Sequence, residues 1–420
     1  MKAEVISIGT ELTQGFTTNT NSSFLARELF EIGIELEYIT TVPDNLKVIH
    51  SALKVATNRV GIIITTGGLG PTHDDLTHYA ISSYFKKKLF LDKNILNQIK
   101  RKFILRGYKN MPKINIKQAL KPKGAKWISN KYGTANGMLW KINKKIILTF
   151  PGVPSELEQM WEGFVKEKSK AIFKKKILYS KTLLFTGIGE SALAEKIKPY
   201  FNLSNPIVAP YASLGEVKIR VTSKARSKKQ AEKMANKVIN KILKKTRQYY
   251  FGSDNDTLEK LVSDLLVKRN KTIAIAESCT GGLLSKRVTD IPGSSQYIGL
   301  NLVTYSNESK NKSLKVPKDT LKKYGAVSSQ TAALMAVGVK ELAKTDIGIS
   351  ITGIAGPSGG TKSKPVGLIY FGLCFGKKIE TKKVFFGSNL KRSQIRFLAT
   401  QYALNWLRQE LLTVIASRMK

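Results

Sequence analysis

Cysteine and histidine are scarce in this chain, whose 420 residues include only Cys279, Cys374 and three histidines. Two cysteines supply neither a disulfide framework nor a cysteine-based metal site. No run of about 18 apolar residues occurs, so a membrane-spanning helix is not expected. The start of the chain also lacks the apolar core of a signal peptide, because Glu4 and Glu11 interrupt it, and we expect a cytoplasmic protein.

Acidic residues are few as well: 30 Asp and Glu stand against 70 Lys and Arg, and the net charge is +40. Residues 1–90 carry 8 basic and 9 acidic side chains, residues 91–255 carry 36 and 10, and residues 256–420 carry 26 and 11. No nucleic-acid-binding motif accompanies the excess. The excess of basic side chains indicates a lysine-rich, solvated surface. Two other interpretations remain: the charge could attract anionic small molecules, or it could support weak, salt-dependent DNA binding without sequence preference.

Residues 273–282, of sequence IAIAESCTGG, carry the clearest chemical signal. Small and β-branched apolar residues predict a buried strand, and the pair Gly281 and Gly282 opens a helical pattern. A hydroxyl at such a junction lies beside backbone N–H groups and the positive end of a helix dipole, which can serve a nucleophile, an oxyanion or a phosphate. The alternative is an ordinary capped helix start. Two further polar or glycine-rich loops, residues 304–310 and 353–360, also follow apolar strands, which suits a site at the carboxyl edge of an open α/β sheet.

A second candidate site lies in the first third of the chain. The apolar strand at residues 62–66 leads into a loop of sequence GGLGPTHDD, residues 67–75. Backbone N–H groups of Gly67, Gly68 and Gly70 could approach an anionic ligand, and paired carboxylates could hold a divalent cation. The alternative is a tight turn followed by acids in the first helical turn. Residues predicted to ligate the cation are Asp74, Asp75 and Glu11, whereas His73 and His78 are interpreted as polar surface residues.

Strands and helices alternate through most of the chain, which predicts an α/β fold built on doubly wound sheets. We divide it into an N-terminal three-layer α/β/α domain (residues 1–172), a small α+β linker or dimerisation domain (residues 173–253) and a C-terminal three-layer α/β/α domain (residues 254–420). The long basic helix of the middle domain could touch nucleic acid, but its lysines are more typical of a solvated face.

Five stretches of the last third, residues 276–282, 293–295, 304–310, 353–357 and 364–367, together resemble the CinA family (competence/damage-inducible protein). The resemblance implies that the C-terminal domain is an amidase, which releases ammonia from nicotinamide mononucleotide and leaves nicotinate mononucleotide, in pyridine nucleotide recycling. It implies no cofactor for this reaction.

The roles that follow are expectations under this resemblance. The family pattern makes Ser278 the nucleophile. Lys310 is the favoured base, since a desolvated lysine can titrate near neutrality; Tyr305 relays or orients the proton, and Ser295 assists. Cys279 is the competing nucleophile, because thiols are intrinsically better nucleophiles. Arg392 and Arg396, near the start of the last helix, can face a phosphate or solvent. The predicted substrate-binding residues of this site are Thr280, Gly281, Gly282, Thr352, Gly353, Gly356 and Arg392. Those of the candidate site in the first third of the chain are Gly67, Gly68 and Gly70.

The first third, through residues 9–21 and 65–75, resembles the molybdopterin-binding fold at the N-terminus of CinA proteins. That resemblance implies a metal-dependent ADP-ribose pyrophosphatase with a divalent metal ion as cofactor. We also expect a homodimer and no membrane partner. Two other classes of protein remain open: a nucleotide- or pterin-binding module without turnover, and a DNA-associated competence protein.

Overall fold

The structure is a computed structural model that describes residues 2–173 and 177–418. The chain divides into two compact units, Met1–Tyr179 with Lys224–Ala231, and Ser180–Ser223 with Glu232–Lys420. The predicted middle and C-terminal domains therefore fall largely within one unit, although each has its own sheet. No helix in the described part of the chain is both long and apolar enough to cross a membrane.

The N-terminal domain is a six-stranded sheet of order β2-β1-β3-β8-β7-β6, in which β2, β1, β3 and β8 run parallel and β7 and β6 are antiparallel. Successive residues of β1 pack on opposite faces: Val5 joins one hydrophobic core and Ile6 the other. Helices cover both faces, as predicted for three layers. The elements are β1 (Lys2–Ile8), α1 (Thr10–Thr13), α2 (Thr20–Glu31), β2 (Glu35–Val42), α3 (Leu46–Arg59), β3 (Ile62–Thr66), α4 (Thr77–Tyr84), β4 (Leu89–Leu91), α5 (Lys93–Leu105), a 3₁₀ segment (Lys113–Ala119), β5 (Leu120–Pro122), β6 (Lys126–Ile128), β7 (Gly137–Ile142), β8 (Lys145–Phe150), α6 (Pro154–Met160), a π-helical segment (Trp161–Lys166) and α7 (Glu167–Ile172).

The middle domain is a four-stranded sheet of order β10-β11-β9-β12 with two main helices. Alanine and isoleucine side chains of the long helix α9 are buried, while its lysines are exposed. This segregation is the amphipathic pattern that the spacing predicts. The elements are β9 (Ile177–Phe185), α8 (Glu190–Ile197), a 3₁₀ turn (Lys198–Tyr200), β10 (Ile207–Ser213), β11 (Glu216–Ala225), α9 (Lys228–Thr246) and β12 (Tyr250–Ser253).

The C-terminal domain is a five-stranded sheet of order β14-β13-β15-β16-β17, with β14, β13 and β15 parallel and the last two strands antiparallel. Ile273 and Ile275 face the core under α10, α11 and α15, whereas Ala274 and Ala276 face α12, α13 and α14. The elements are α10 (Leu258–Lys268), β13 (Ile273–Glu277), α11 (Leu283–Thr289), a 3₁₀ turn (Ser294–Gln296), β14 (Ile298–Val303), α12 (Asn307–Leu314), α13 (Lys318–Tyr324), α14 (Ser329–Ala343), β15 (Ile347–Gly353), β16 (Leu368–Phe375), β17 (Lys378–Phe385) and α15 (Arg392–Arg418). The predicted α/β fold class is confirmed.

Candidate active site

Ser278 lies in a tight turn between β13 and α11. Its backbone N–H still donates to the carbonyl of Ile351, 2.9 Å away, so the residue is fixed to the neighbouring strand. Gly281 and Gly282 follow with φ of +57° and +89°. These left-handed conformations cost little only for glycine, which explains why a glycine pair ends the turn.

Backbone N–H groups at the start of α11 are hydrogen-bonded to the Glu277 carboxylate. Glu277, which is fully buried, accepts hydrogen bonds from the backbone N–H of Leu284 (3.1 Å) and of Ser285 (2.7 Å), and from the Ser285 hydroxyl (2.6 Å). A carboxylate at a helix N-terminus is favoured by the helix dipole. The sequence-based expectation that this helix start offers free N–H groups to a ligand is therefore wrong for these two amides.

Ser278 and Lys310 form a hydrogen-bonded pair inside the protein. The Lys310 ammonium lies 3.1 Å from Ser278 Oγ and also donates to the carbonyls of Thr304 (2.7 Å) and Tyr305 (3.4 Å). Lys310 is fully buried, and no carboxylate of the described residues is bonded to it. Desolvation by burial lowers its pKa to about 8. Its helix α12 is fixed at its start by a capping box in which Ser306 and Ser309 bond reciprocally. The structure thus brings a serine hydroxyl and a readily deprotonated amine together.

Cys279 adjoins this pair, but its own environment disfavours a thiolate. The residue is buried, and desolvation raises the pKa of its thiol to about 12, with the nearby Glu277 charge acting in the same direction. Since the thiolate is the nucleophilic form, Cys279 is a poor nucleophile at neutral pH. The geometry favours Ser278.

Two arginines at the start of α15 connect the loops of this edge. Arg392 donates to the carbonyl of Gly356 (2.7 Å) and to the hydroxyl of Tyr305 (2.8 Å), and Arg396 donates twice to the carbonyl of Thr280 (3.0 and 2.6 Å). Tyr305 is 61% exposed. Its hydroxyl is paired with Arg392, so no hydrogen bond links it to Ser278 or Lys310 among the described residues, and the predicted proton relay is not formed in this structure.

The remaining predicted residues of this domain lie at two opposite ends of the sheet. Thr352 is buried and donates to the carbonyl of Ala326 (2.8 Å), and Gly353 packs directly against β16. Ser295 lies at the other edge of the sheet, because Ile273 at the amino end of β13 bonds to Tyr297, two residues after Ser295. The length of β13 separates it from Ser278, so within one chain Ser295 does not join the pair, and its predicted assistance is not available there.

A cavity of about 460 Å³ opens at the carboxyl edge of the N-terminal sheet. Gly67 and Gly68 form its floor with positive φ, and a Cβ atom on either would overlap Ile8 or Thr77. Thr77 holds the loop by bonds to the carbonyls of both glycines. The backbone N–H groups of Gly68, Leu69 and Gly70 have no hydrogen-bond partner in the described ranges, so they are available to an anion.

The predicted metal ligands do not form a ready metal site. Residues Glu11, Asp74 and Asp75 all line the cavity. However, the described part of the chain contains no group of three or more His, Cys, Asp or Glu side chains placed to hold a metal ion. Asp75 instead accepts from the N–H (2.9 Å) and hydroxyl (2.6 Å) of Thr72, which forms the tight turn of the alternative interpretation. The acids themselves precede α4 and do not lie in its first turn, contrary to that interpretation. The donor set therefore does not fit a resident divalent ion.

His73 and His78, in and just after the glycine-rich loop, differ in their burial. His73 is exposed, as predicted. His78 is half-buried and bonded to the hydroxyl of Thr149 at 3.1 Å, and burial lowers its pKa to about 4. The interpretation of His78 as a surface residue is wrong, because its side chain packs beside the Trp127 ring.

Several polar residues of the cavity were not predicted from the sequence, and three of them are Asp44, Asn21 and Glu156. Asp44 follows β2 and accepts from the backbone and the hydroxyl of Thr10 (2.8 and 3.1 Å). The signal was present, because β2 is parallel to β1 and its carboxyl end must reach the same edge. Asn21 and Glu156 lie on helices, where no such positional rule applies.

Comparison with known proteins assigns each part of the chain to a family model. The family model described as the CinA C-terminal domain matches residues 255–411, that of the probable molybdopterin binding domain matches residues 4–171, and that of the damage-inducible protein CinA KH domain matches residues 180–252. The chain belongs to the CinA family. CinA-like proteins from Rippkaea orientalis (44% identical over 98% of this chain and 100% of the relative) and Gloeothece citriformis (46%, over 99% and 100%) match along their whole length.

Solved members of the CinA superfamily match one part of the chain. A crystal structure of such a protein from Klebsiella pneumoniae is 31% identical, covers 38% of this chain and 99% of its own, and has a TM-score of 0.36. The names of the CinA relatives refer to competence and damage induction and specify no reaction. The chemistry must therefore be argued from the residues of the two sites.

Proposed function

We propose that the C-terminal domain hydrolyses the amide of nicotinamide mononucleotide to ammonia and nicotinate mononucleotide. The substrate follows from the family resemblance of the loops. The observation that carries the chemistry is the 3.1 Å contact between Ser278 Oγ and Lys310 Nζ in a buried site. Amide hydrolysis by a nucleophile needs a base within hydrogen-bond reach, and this pair supplies one.

The surroundings of Lys310 favour its action as a base. A neutral amine has two N–H bonds and one lone pair; the carbonyls of Thr304 and Tyr305 can accept the two N–H groups, which leaves the lone pair for Ser278. Lys310 takes the hydroxyl proton as Ser278 Oγ attacks the amide carbon. It then gives that proton to the departing nitrogen, so ammonia leaves and a serine ester remains. Water, deprotonated by the same amine, hydrolyses the ester.

Two other groups have roles in this reaction. The backbone N–H groups of Thr280 and Gly282 have no partner in the described part of the chain and are candidates to bind the oxyanion. Arg392 is exposed and already oriented by Gly356 and Tyr305. Its guanidinium has five N–H groups, so it retains donors for the phosphate of the substrate.

Ammonia release from nicotinamide mononucleotide by the full chain tests this proposal. We expect Ser278→Ala to abolish release and the matched variant Cys279→Ala to retain most of it. The reverse result would move the nucleophile to Cys279. Wild-type protein that binds the substrate but releases no ammonia would identify a binding module instead.

For the N-terminal domain we propose hydrolysis of the pyrophosphate bond of ADP-ribose. The cavity and the unpartnered N–H groups of Gly68, Leu69 and Gly70 support a phosphate-binding role. The test is release of AMP and ribose 5-phosphate from ADP-ribose by the full chain, with Ser278→Ala as the control that keeps this site intact. Absence of turnover under any metal condition would leave a nucleotide-binding domain.

A further inference from the structure

Lys310, the proposed base of the C-terminal site, is buried without a negative charge to balance its ammonium form. Its hydrogen-bond acceptors in the described part of the chain are Ser278 Oγ and the carbonyls of Thr304 and Tyr305. Burial lowers its pKa to about 8. At neutral pH about nine in ten molecules of the free protein therefore still hold the inactive ammonium form. The base needs a further change in its surroundings to be fully available.

The titratable side chains around Lys310 do not supply this change. The thiol of Cys279 is the group whose charge would act on Lys310, but burial raises the pKa of this thiol to about 12, so it is neutral near pH 8. The buried face of α14 carries no ionisable side chain among the described residues. The other charged or titratable groups of the surrounding elements are bonded elsewhere: Glu277 to the amides of α11, Glu308 to Lys312, Arg392 to Gly356 and to the Tyr305 hydroxyl, and Arg396 to Thr280.

The proposed substrate itself brings a positive charge to this place. Ser278 Oγ must contact the amide carbon, and Lys310 Nζ lies 3.1 Å from that oxygen. In nicotinamide mononucleotide the amide is attached to a pyridinium ring, whose charged nitrogen is only a few bonds from the amide carbon. Tyr305 connects the same two ends of the site: its carbonyl is 3.4 Å from Lys310 Nζ, and its hydroxyl is 2.8 Å from Arg392, the residue proposed to bind the phosphate. Tyr305 is 61% exposed, so its aromatic face is open to a cationic ring, which is a favourable contact.

We propose that the site selects amides carried on a cationic ring, because the ring charge drives the proton of Lys310 into solvent, whereas the same amide on a neutral ring leaves that proton in place. This inference rests on the proposed amidase function and specifies its substrate class. A like charge nearby disfavours the ammonium form of a buried lysine. At about 6 Å and an effective dielectric constant of about 20, the repulsion lowers the titration midpoint of Lys310 by about one to two pH units. The substrate thus generates the neutral amine on which its own hydrolysis depends.

Proton release on binding tests the proposal directly. The protein is the full chain with Ser278→Ala, in which the ligand is expected to stay intact. The two ligands are nicotinamide mononucleotide and the 5′-phosphate of benzamide riboside, which has a neutral benzene ring and the same phosphate. Isothermal titration calorimetry in buffers of different ionisation enthalpy counts the protons released near pH 8, where both phosphates are already fully ionised. We expect nicotinamide mononucleotide to release about 0.4–0.5 proton more per site than the neutral ligand.

Two further variants, made in the same Ser278→Ala background, identify the group that loses the proton. Lys310→Met keeps an unbranched side chain of similar length without the titratable amine, and it should abolish the difference between the two ligands. Lys312→Met removes an exposed lysine of the same helix and should preserve the difference. Equal proton release by the two ligands, or a difference that survives Lys310→Met, would overturn the proposal.

The pH profiles of ammonia release by the wild type give a second test that needs no variant. The profile of kcat/KM reports on the free protein, and that of kcat reports on the complex with substrate. For nicotinamide mononucleotide we expect kcat to level off at a pH about one unit or more below kcat/KM, and for the neutral ligand we expect the two profiles to coincide. Profiles that coincide for nicotinamide mononucleotide as well would show that the ring charge has no role, while the amidase function stands. If nicotinamide mononucleotide releases no ammonia at any pH, the proposed function itself is wrong.

Discussion

At the scale of single residues, the C-terminal site depends on one buried lysine. Lys310 is fully buried, and its three hydrogen-bond partners within the described part of the chain are neutral oxygens rather than carboxylates. Burial without a counter-ion disfavours the ammonium form, which is why the pKa falls to about 8. A lysine surrounded in this way is suited to proton transfer rather than to structural ion pairing.

The first prediction concerns the pH dependence of ammonia release. The active form of Lys310 is the neutral amine, so kcat/KM should rise as pH increases through about 8 and then level off. Lys310→Arg keeps the cation permanently and should lower kcat/KM by about a hundred- to ten-thousandfold. Lys312→Arg, one exposed residue in the same helix, is the control. A flat pH profile for wild type would contradict a base role for Lys310.

The second prediction concerns Cys279. Because its thiol is buried with a pKa of about 12, iodoacetamide should modify it in the unfolded protein but only very slowly in the native one. Peptide mass spectrometry after labelling in buffer and in urea measures both rates. Rapid native labelling at neutral pH would show a reactive thiolate and reopen Cys279 as nucleophile.

At the scale of elements, the turn before α11 and the start of α15 position the site. Glu277 links β13 to the first turn of α11 through its carboxylate, and its carbonyl accepts from Thr304, whose own carbonyl holds Lys310. Arg392 and Arg396 then connect this turn to the loops after β14 and β15. The three loops thus form one hydrogen-bonded assembly.

The third prediction tests the Glu277 cap. In Glu277→Gln the carboxylate, whose two oxygens accept three hydrogen bonds, becomes an amide. The amide NH2 group cannot accept, so at least one of these bonds is lost. We expect the free energy of unfolding to fall by about 1.5–3 kcal/mol. Urea unfolding measures it, with Glu308→Gln in an exposed first turn as the control. Equal stability of the two variants would show that the cap contributes little.

At the scale of the whole molecule, the C-terminal and middle domains share structure within one unit. Leu184 and Phe251 of the middle domain belong to the same hydrophobic core as α10 and α15. Arg408, only 4% exposed, donates to the carbonyl of Tyr250 at 3.1 Å, and Gln401 donates to Glu216 at 2.9 Å. Contacts with the middle domain therefore help to hold α15, the helix that carries Arg392, in position.

The fourth prediction compares two fragments of this unit. Residues 254–420 alone should melt at a lower temperature than residues 180–420, since the shorter fragment loses two core side chains worth about 1.5–3 kcal/mol each when buried. Differential scanning calorimetry measures the difference, and ammonia release reports on the site. Identical melting temperatures would indicate that the middle domain does not stabilise the C-terminal domain.

The architecture, and the edge of the sheet at which each site lies, could be predicted from the residues alone. Alternating apolar strands and amphipathic helices predict layered α/β domains, and parallel strands must present their carboxyl ends together. The turn at Ser278 and the glycine loop at Gly67 followed from these rules because backbone conformation is governed by local residue types. Membership of the family was also recognisable from these loops.

Which side chains contact each other could be learned only from the folded chain. Ser278 and Lys310 are 32 residues apart, and Arg392 and Tyr305 are 87 apart, so no local rule fixes their contact. Packing also placed Glu277 on the α11 amides, turned Asp75 toward Thr72, separated Ser295 from Ser278 and brought Asp44 into the N-terminal cavity. Side-chain direction and desolvation depend on elements distant in sequence, and these two properties convert a residue type into a chemical role.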